Sequence, residues 1–260
     1  MDITIVKIAG AVITKKESKK PKTNNSNIRA IAKILKDFNS PYVLVHGSGS
    51  FGHPLAKKTG VDKTVISQEQ LLAFAQIQEL QNRLNYIFCD ALMGSGIPAF
   101  PAQASSHTIL ERGRLAKMET EALFGLIKLN MVPVVYGVPA FDRIWGSAIL
   151  SYDQIATYIA KQLKAIRIIE VEDVEGIFTA NPKTNKNAEL IPLINEKNCQ
   201  EVRNCLSGST APDVTGGMKQ KYIELLDAAK NGIVCQIVDL KHFKAALENQ
   251  PCGTIINLQK

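Results

Sequence analysis

The chain has 260 residues, and its 31 Lys and Arg outnumber its 24 Asp and Glu, giving a formal net charge of +7. Hydrophobic residues make up 45% and charged residues 21% of it, which excludes a disordered, collagen-like or low-complexity chain. The sequence contains neither an apolar run long enough to span a membrane nor the pattern of a signal peptide. We therefore expect a cytoplasmic globular protein that does not act at a membrane.

The number and spacing of the cysteines and lysines indicate the state of the thiols and the kinds of ligand that the protein binds. The five cysteines are an odd number and include no Cys-x-x-Cys pair, which indicates reduced, mostly buried thiols. The densest lysine cluster, residues 15–22, contains no aromatic residue, so a nucleic-acid-binding surface is not favoured. Basic charge of this kind suits a small phosphorylated ligand equally well.

Apolar runs and helical periodicities alternate along the chain. The sequence predicts strands at residues 3–8, 42–45, 97–100, 132–136, 166–171 and 233–238. It predicts helices at residues 28–38, 68–93, 123–129, 153–163 and 219–230. Such alternation is typical of an α/β protein, an open sandwich whose mostly parallel central sheet is covered by helices. Ligands in such folds bind beyond the carboxyl ends of the strands.

Two glycine-containing segments follow the first two predicted strands. Lys7 ends the first strand and is followed by Gly10, and small residues there let backbone N–H groups approach an anion. The second segment holds Gly47, Gly49 and Gly52 in a Gly-x-Gly-x-x-Gly order, with His53 at its exit. A dinucleotide fingerprint would need a following helix and strand with an acidic residue, and this basic stretch provides none. The segment is interpreted as an anion-binding turn.

Three further segments carry polar groups after later strands. Ser151 is a candidate N-cap with Asp153 in the first helical turn. Residues 172–178 place acidic side chains and a glycine at a strand end, and residues 213–221 place two glycines and two lysines at a helix start. Each segment could be only a turn or a cap. Together they predict one crevice for several phosphate groups, and the absence of a Walker A sequence excludes a P-loop enzyme.

These five segments, in this order, resemble those of the amino acid kinase superfamily over nearly the whole chain. Residues 46–54, His-Gly-x-Gly-Ser-Phe-Gly-His-Pro, and residues 213–218, Asp-Val-Thr-Gly-Gly-Met, are similar to the isopentenyl phosphate kinase family. His53 is the most specific feature, because in that family this histidine binds the acceptor phosphate. The resemblance implies ATP-dependent phosphorylation of isopentenyl phosphate to the diphosphate, within isoprenoid precursor synthesis.

The resemblance also implies a role for each matching position. The catalytic set would be Lys7, His53, Asp153 and Lys221. The acceptor would contact Gly47, Gly52, His53, Gly137 and Ser151, and its tail would contact Phe74, Ile77 and Ile149. ATP would face Lys7, Gly10, Lys16, Gly49, Asp173, Gly176, Gly216, Lys219 and Lys221. Magnesium would arrive with ATP, so no protein metal site is expected.

The family likeness further implies a homodimer built from two-lobed chains. Residues 1–164 would form the acceptor lobe and residues 165–260 the nucleotide-binding lobe, packed as one compact unit. The chain departs from the family pattern at Ala9, Val138 and Tyr152, where glycine or aspartate is usual. These departures leave open a fosfomycin-type or other small phosphonate kinase, or a catalytically silent nucleotide-binding regulatory module. A basic nucleic-acid binder is the fourth alternative.

Overall fold

The structure is a computed structural model that describes residues 1–15, 18, 20–61, 65, 67–207 and 217–259. Its strands are β1 (Thr4–Ile8), β2 (Tyr42–His46), β3 (Ala99–Ala102), β4 (Thr108–Glu111), β5 (Arg114–Met118), β6 (Val132–Tyr136), β7 (Val138–Asp142), β8 (Gly146–Leu150), β9 (Arg167–Glu172), β10 (Leu193–Ile194), β11 (Val234–Asp239) and β12 (Thr254–Ile256). Its helices are α1 (Gly10–Ile13), α2 (Asn25–Lys36), α3 (His53–Thr59), α4 (Gln68–Met93), α5 (Glu121–Lys128), α6 (Tyr152–Gln162), α7 (Cys199–Ser207), α8 (Gly217–Lys230) and α9 (Phe243–Leu247).

The main sheet has the strand order β10-β12-β11-β9-β1-β2-β6-β3. Neighbouring strands from β11 to β3 run parallel, and β12 pairs antiparallel with β11. Helices cover both faces of this sheet, so the central strands β1 and β2 are buried at every residue, which explains their unbroken apolar runs. The predicted α/β sandwich with a mostly parallel sheet is confirmed.

Two hydrophobic layers lie on opposite faces of the sheet. One layer packs β1, β2 and β9 residues such as Ile5, Val45 and Ile168 against α5, α6 and α8. The other packs alternate residues such as Val6 and Ile169 against α1, α2, α4 and α9. Because neighbouring strand residues point to opposite faces, any ionisable side chain on the first face must lie under α6 and α8.

A second sheet of four strands, in the order β5-β4-β7-β8, was not among the predicted elements. Arg112 and Gly113 both have positive φ angles, 49° and 75°, in the tight turn between β4 and β5, as a two-residue hairpin requires. Asp142 closes the β7–β8 turn by accepting hydrogen bonds from the backbone N–H groups of Ile144 and Trp145. This hairpin leads directly from the end of β6 into α6, and so it positions the start of α6.

Helix α4 begins and ends where its periodicity predicts. Ser67 accepts a hydrogen bond from the backbone of Gln70, whose side chain accepts one from the backbone of Ser67, a capping box that contributes about 1 kcal/mol. The strand after α4 starts two residues later than predicted, at Ala99, because the N–H of Ile97 bonds back to Leu92 at the helix end.

The cysteine prediction is correct on oxidation state and wrong on burial. All five cysteines are free thiols. Only Cys89 and Cys235 are buried, whereas Cys205 is exposed, since α7 turns one face to solvent. Among the helices of the described residues, none is both long and apolar enough to cross a membrane.

The main sheet continues across the predicted lobe boundary. Strands β1, β2, β3 and β6 come from residues 1–164, and β9 to β12 come from residues 165–260. Strands β1 and β9 pair residue for residue from Thr4 with Arg167 to Ile8 with Val171. The assignment of an acceptor and a nucleotide to the two segments stays a prediction.

Candidate active site

Three ionisable side chains lie on one face of the main sheet at the carboxyl ends of two neighbouring strands. Lys7 of β1 is in register with Glu170 of β9, and Glu172 follows on the same face two residues later. All three are buried, and α6 and α8 cover this face. A buried charge needs a partner. Lys7 and Glu170 pair with each other, and α6 and α8 provide the further partners.

Lys221 of α8 completes a buried ion-pair cluster. Its Nζ lies 2.8 Å from a carboxylate oxygen of Glu170 and 2.9 Å from one of Glu172. The Nζ of Lys7 lies 2.6 Å from the same Oε1 of Glu170. The two ammonium groups therefore share one carboxylate of β9, although they belong to elements far apart in the chain.

Asp153 is the second carboxylate that both ammonium groups share. Its Oδ1 lies 2.5 Å from Lys7 Nζ and 3.2 Å from Lys221 Nζ. Ser151 caps α6 by accepting a hydrogen bond from the Asp153 backbone, and its hydroxyl donates to Asp153 Oδ2 at 2.8 Å. The cap fixes the carboxyl group in the first turn of α6. The structure thus brings Lys7, Asp153 and Lys221 together.

The ring of Tyr152 covers both ammonium groups. Lys7 Nζ and Lys221 Nζ each lie 4.7 Å from the ring centroid, a cation–π distance. Lys221 Nζ also donates to the Tyr152 hydroxyl at 2.5 Å, and that hydroxyl donates to Glu172 at 3.4 Å. Tyr152 also lines the pocket described below, whereas neither lysine is among its lining residues.

Burial and charge together set the protonation states of the cluster. Burial alone raises the pKa of the Asp153 carboxyl, but Lys221 and Lys7 hold it well below its ordinary value. The pKa of Glu170 is lowered in the same way, against the effect of burial, by Lys221 and Lys7. Burial raises the pKa of Glu172 to about 8, although Lys221 opposes the rise. At neutral pH, Asp153 and Glu170 are therefore anionic, whereas Glu172 mostly retains its proton.

The two glycine segments meet in front of this cluster. A Cβ added to Gly10 would lie 2.2 Å from the backbone nitrogen of Gly49 and 3.0 Å from the carbonyl carbon of Gly47. Gly49 has a φ of 49° and lies against the hydroxyl of Thr14. Only glycine allows the two turns to approach this closely.

A small pocket opens beside the second glycine segment. It is lined by Ser48, Gly52, His53, Ala56, Ile77, Gln81, Gly137, Val138, Pro139, Ile149, Leu150, Ser151 and Tyr152. His53 is the first residue of α3 and lies at this wall. The cavity volume is about 40 Å³, room for only a few water molecules. A larger ligand enters only if the walls move apart.

Most of the residues predicted to contact the acceptor line this pocket, but two do not. Phe74 does not line the pocket, but it packs against the small hydrophobic cluster of Ala56, Val61, Ala73 and Ile77, of which Ala56 and Ile77 do line it. Gly47 lies behind the pocket wall, where the Tyr152 ring would contact a Cβ at 3.1 Å. Of the two histidines near the glycine turns, His46 is structural: it is buried, bonded to Asn85, and its pKa falls to about 4 through burial.

The residues predicted to face the nucleotide are less tightly gathered. Asp173 forms a salt bridge with Lys183 at 2.6 Å. Gly176 has a packing reason to be glycine, since a Cβ there would lie 2.5 Å from the Thr254 hydroxyl. Lys219 is exposed in the first turn of α8. Lys16 and Gly216 lie outside the described residues.

Sequence reasoning missed Glu170 and Gln81 as site residues and named Glu172 only as part of a segment. The available signal was a pair of acidic residues, two apart, inside an otherwise apolar strand. Such residues require buried partners, and Lys7 is in register with one of them. For Gln81 no comparable sequence signal exists, because a single glutamine in a long helix is ordinary.

Comparison with known proteins agrees with this geometry. The model of the amino acid kinase family matches residues 2–239. The chain therefore belongs to the amino acid kinase family. Beside its eight-stranded sheet, one lysine of β1 and one of α8 contact the same aspartate.

Individual proteins of that family are similar to this chain over most of its length. The chain is 35% identical over 242 residues to isopentenyl phosphate kinase from Methanothermobacter thermautotrophicus, covering 90% of both chains. It is 34% identical to isopentenyl phosphate kinase from Methanocaldococcus jannaschii, covering 99% of this chain and 100% of the relative. A solved structure of isopentenyl phosphate kinase has a TM-score of 0.85 at 31% identity, covering 98% of this chain and 100% of that chain.

Proposed function

We propose that the protein transfers a phosphoryl group from ATP to isopentenyl phosphate, forming isopentenyl diphosphate and ADP. One observation carries the proposal: an apolar pocket with His53 at its wall adjoins two buried lysines that share the carboxylate of Asp153. The pocket is polar near the glycine segment and apolar at Ile77, Pro139 and Ile149, which suits a phosphate joined to a short hydrocarbon. The relatives of matching length named for this activity support the same acceptor.

In the proposed reaction an oxygen of the acceptor phosphate attacks the terminal phosphorus of ATP. A P–O bond to that phosphorus forms, the bond between the terminal phosphorus and its bridging oxygen breaks, and ADP leaves with that oxygen. Little covalent chemistry is required of the protein, since positioning and charge stabilisation account for most catalysis of this kind. Lys7 and Lys221 would stabilise the transferring group, and Asp153 would hold the two ammonium groups at one place.

His53 and the backbone of the glycine turns would bind the acceptor phosphate. His53 begins α3 directly after Gly52, and both residues line the pocket together with Ser48. The walls at Ile77 and Ile149 would hold the prenyl tail. Tyr152 would need to move for the lysines to reach a phosphate.

ATP would bind on the side of Gly10, Gly49 and Lys219, with Mg²⁺ held by its phosphates. The carboxylates of the cluster are already engaged by the lysines, which fits a metal that arrives with the nucleotide. The metal would supply additional charge neutralisation on the nucleotide phosphates. A homodimer and a cytoplasmic location remain predictions.

The test is ADP release with MgATP and isopentenyl phosphate, followed by phosphorus NMR for a new diphosphate signal. Dimethylallyl phosphate, fosfomycin and glutamate are assayed in parallel. We expect the new signal with isopentenyl phosphate, and we expect His53→Ala to lower kcat/KM for this acceptor by about 10²-fold with the KM of ATP unchanged. Turnover only with fosfomycin or glutamate would show that the acceptor is that compound and not isopentenyl phosphate. ATP binding without any ADP release would instead support the regulatory module.

A further inference from the structure

Gln81 carries a buried side-chain amide in the middle of helix α4. Its side chain is 1% exposed, and among the described residues neither Nε2 nor Oε1 has a hydrogen-bond partner. Leaving a buried amide unpaired destabilises a protein, so such a group in a well-packed chain needs another explanation. Gln81 lines the pocket beside His53, where a ligand would supply the missing partner.

The position of Gln81 on α4 defines which part of a ligand it would meet. Residues four apart lie on one face of a helix, and Ile77, Gln81 and Asn85 are buried on one face of α4. Ile77 belongs to the apolar wall of the pocket, whereas Asn85 is bonded to His46 below it. Gln81 therefore lies between the apolar wall and the base of the glycine segment.

The amide nitrogen of Gln81 lies against the glycine segment. A Cβ built on Gly52 would be 2.5 Å from Gln81 Nε2, and Gly52 directly precedes His53. An alanine at position 52 would overlap this nitrogen, so the glycine leaves it room. Nε2 carries two donors and no charge, a suitable partner for an anionic oxygen that the neighbouring backbone also faces.

We propose that Gln81 binds the acceptor, with Nε2 donating a hydrogen bond to an oxygen of its phosphate group. This inference rests on the proposed function in one respect: the pocket must receive the phosphate acceptor. Gln81 adds a third recognition element to His53 and the glycine turn, and it comes from the helix that contributes Ile77 to the apolar wall. A single side chain would thereby fix the phosphate relative to the tail.

The test compares Gln81→Leu with Gln78→Leu, the same change three residues earlier on α4. Gln78 lies outside the pocket lining, donates to Asn82 at 2.7 Å and accepts from Ser105 at 2.9 Å. We expect Gln81→Leu to raise the acceptor KM about 10- to 100-fold, since hydrogen bonds to charged groups are of this strength, with kcat and the KM of ATP changed less than about threefold. We expect its Tm to be equal to or above that of the wild type.

The control should show the reverse pattern. Gln78→Leu loses two hydrogen bonds and is expected to lower Tm while leaving the acceptor KM unchanged. An unchanged acceptor KM in Gln81→Leu, or an equal rise in the KM of ATP, would overturn the inference. A fall in Tm as large as that of Gln78→Leu would also overturn it, because it would show that the amide is already satisfied in the free protein.

The acceptor panel separates this inference from the proposed function. If the wild type phosphorylates another phosphate or phosphonate in place of isopentenyl phosphate, the proposed acceptor is wrong, and both variants are measured with the true acceptor. Gln81→Leu must then weaken that acceptor for the inference to stand. Calorimetry of each acceptor without ATP gives the same comparison in the absence of turnover. A wild type that binds no acceptor of the panel overturns both.

Discussion

Lys7 Nζ lies 2.5 Å from Asp153 Oδ1, and the two side chains are 1% and 4% exposed. The same oxygen lies 3.2 Å from Lys221 Nζ. One carboxylate at the start of α6 therefore holds an ammonium group from β1 and another from α8. In a buried site, removing one member of such a group leaves charges without compensation, which costs far more than losing a surface pair.

Asp153→Asn keeps the shape of the side chain and removes the shared charge. We expect kcat to fall about 10²- to 10³-fold, the range seen when a single electrostatic contact at a reacting centre is lost. We also expect a loss of about 3–5 kcal/mol in the free energy of unfolding. Both are measured by steady-state kinetics and denaturant unfolding.

Asp227→Asn is the matched control for Asp153→Asn. Asp227 pairs with Lys161 at 2.7 Å, but its side chain is 48% exposed, so its loss should cost less than about 1 kcal/mol and leave kcat unchanged. Equal kcat values for the two variants would contradict a role for Asp153 in holding the lysines.

Lys221→Met tests whether the second ammonium group acts in catalysis, and another lysine of helix α8 provides the control. We expect kcat to fall by at least about 10³-fold, as for other cations that stabilise a transferring phosphoryl group, while ATP still binds. Lys230→Met, at the exposed end of the same helix α8, should retain wild-type kcat. Single-turnover assays separate the chemical step from product release. Weaker ATP binding in Lys221→Met, with kcat retained at saturating ATP, would assign this lysine to nucleotide affinity alone.

Glu172→Gln tests the raised pKa in the cluster. Burial raises the pKa of Glu172 from 4.5 to about 8, so between these values the folded protein retains a proton that the unfolded chain releases. Its contribution to stability is fully present below about pH 4.5 and is lost as the pH rises through 8. The Tm of Glu172→Gln minus that of the wild type should therefore increase from pH 5 to 8 and then level off. The exposed Glu189→Gln should show no such change.

The deprotonation of Glu172 also predicts that activity falls at alkaline pH. Above pH about 8 Glu172 becomes anionic, which adds a third negative charge beside Lys7 and Lys221 and opposes the binding of phosphates. Wild-type kcat/KM should fall there, and Glu172→Gln should keep its rate to higher pH. Identical pH–rate profiles for the two proteins would show that Glu172 is not coupled to the reaction.

Gly10→Ala and Gly125→Ala are expected to act in opposite directions. A Cβ at Gly10 would meet the Gly49 backbone nitrogen at 2.2 Å, whereas a Cβ at Gly125, within α5, has nothing within 4 Å. We expect Gly10→Ala to separate the two glycine turns, lower Tm and raise the KM of ATP. Gly125→Ala should stabilise α5 by about 1 kcal/mol, or about 2–4 °C in Tm. A higher Tm for Gly10→Ala would mean that the turns do not depend on this contact.

The amino-acid pattern alone was enough to predict the layered α/β plan and most of the central elements. Strands such as β6 and helices such as α4 were predicted almost to the residue, because burial between helix layers makes strand runs uniformly apolar and local caps end the helices. The second sheet was missed. Several of its residues, as in β5, are exposed, so these strands lack the unbroken buried runs by which β1 and β2 were predicted. The two hairpins β4–β5 and β7–β8 are joined through Leu110 beside Asp142, a contact between distant parts of the chain.

At the candidate site, residue types near strand ends marked Lys7, His53, Asp153 and Lys221 as candidates, and it was the family resemblance that implied their catalytic roles, which stay predictions. Only the tertiary structure shows which charged side chains contact one another. The pairing of Lys7 with Glu170 depends on the register between β1 and β9, and the position of Lys221 depends on how α8 packs over that face. The unpartnered amide of Gln81 was likewise invisible in the sequence, because hydrogen bonding and burial are properties of the neighbours that the fold assembles.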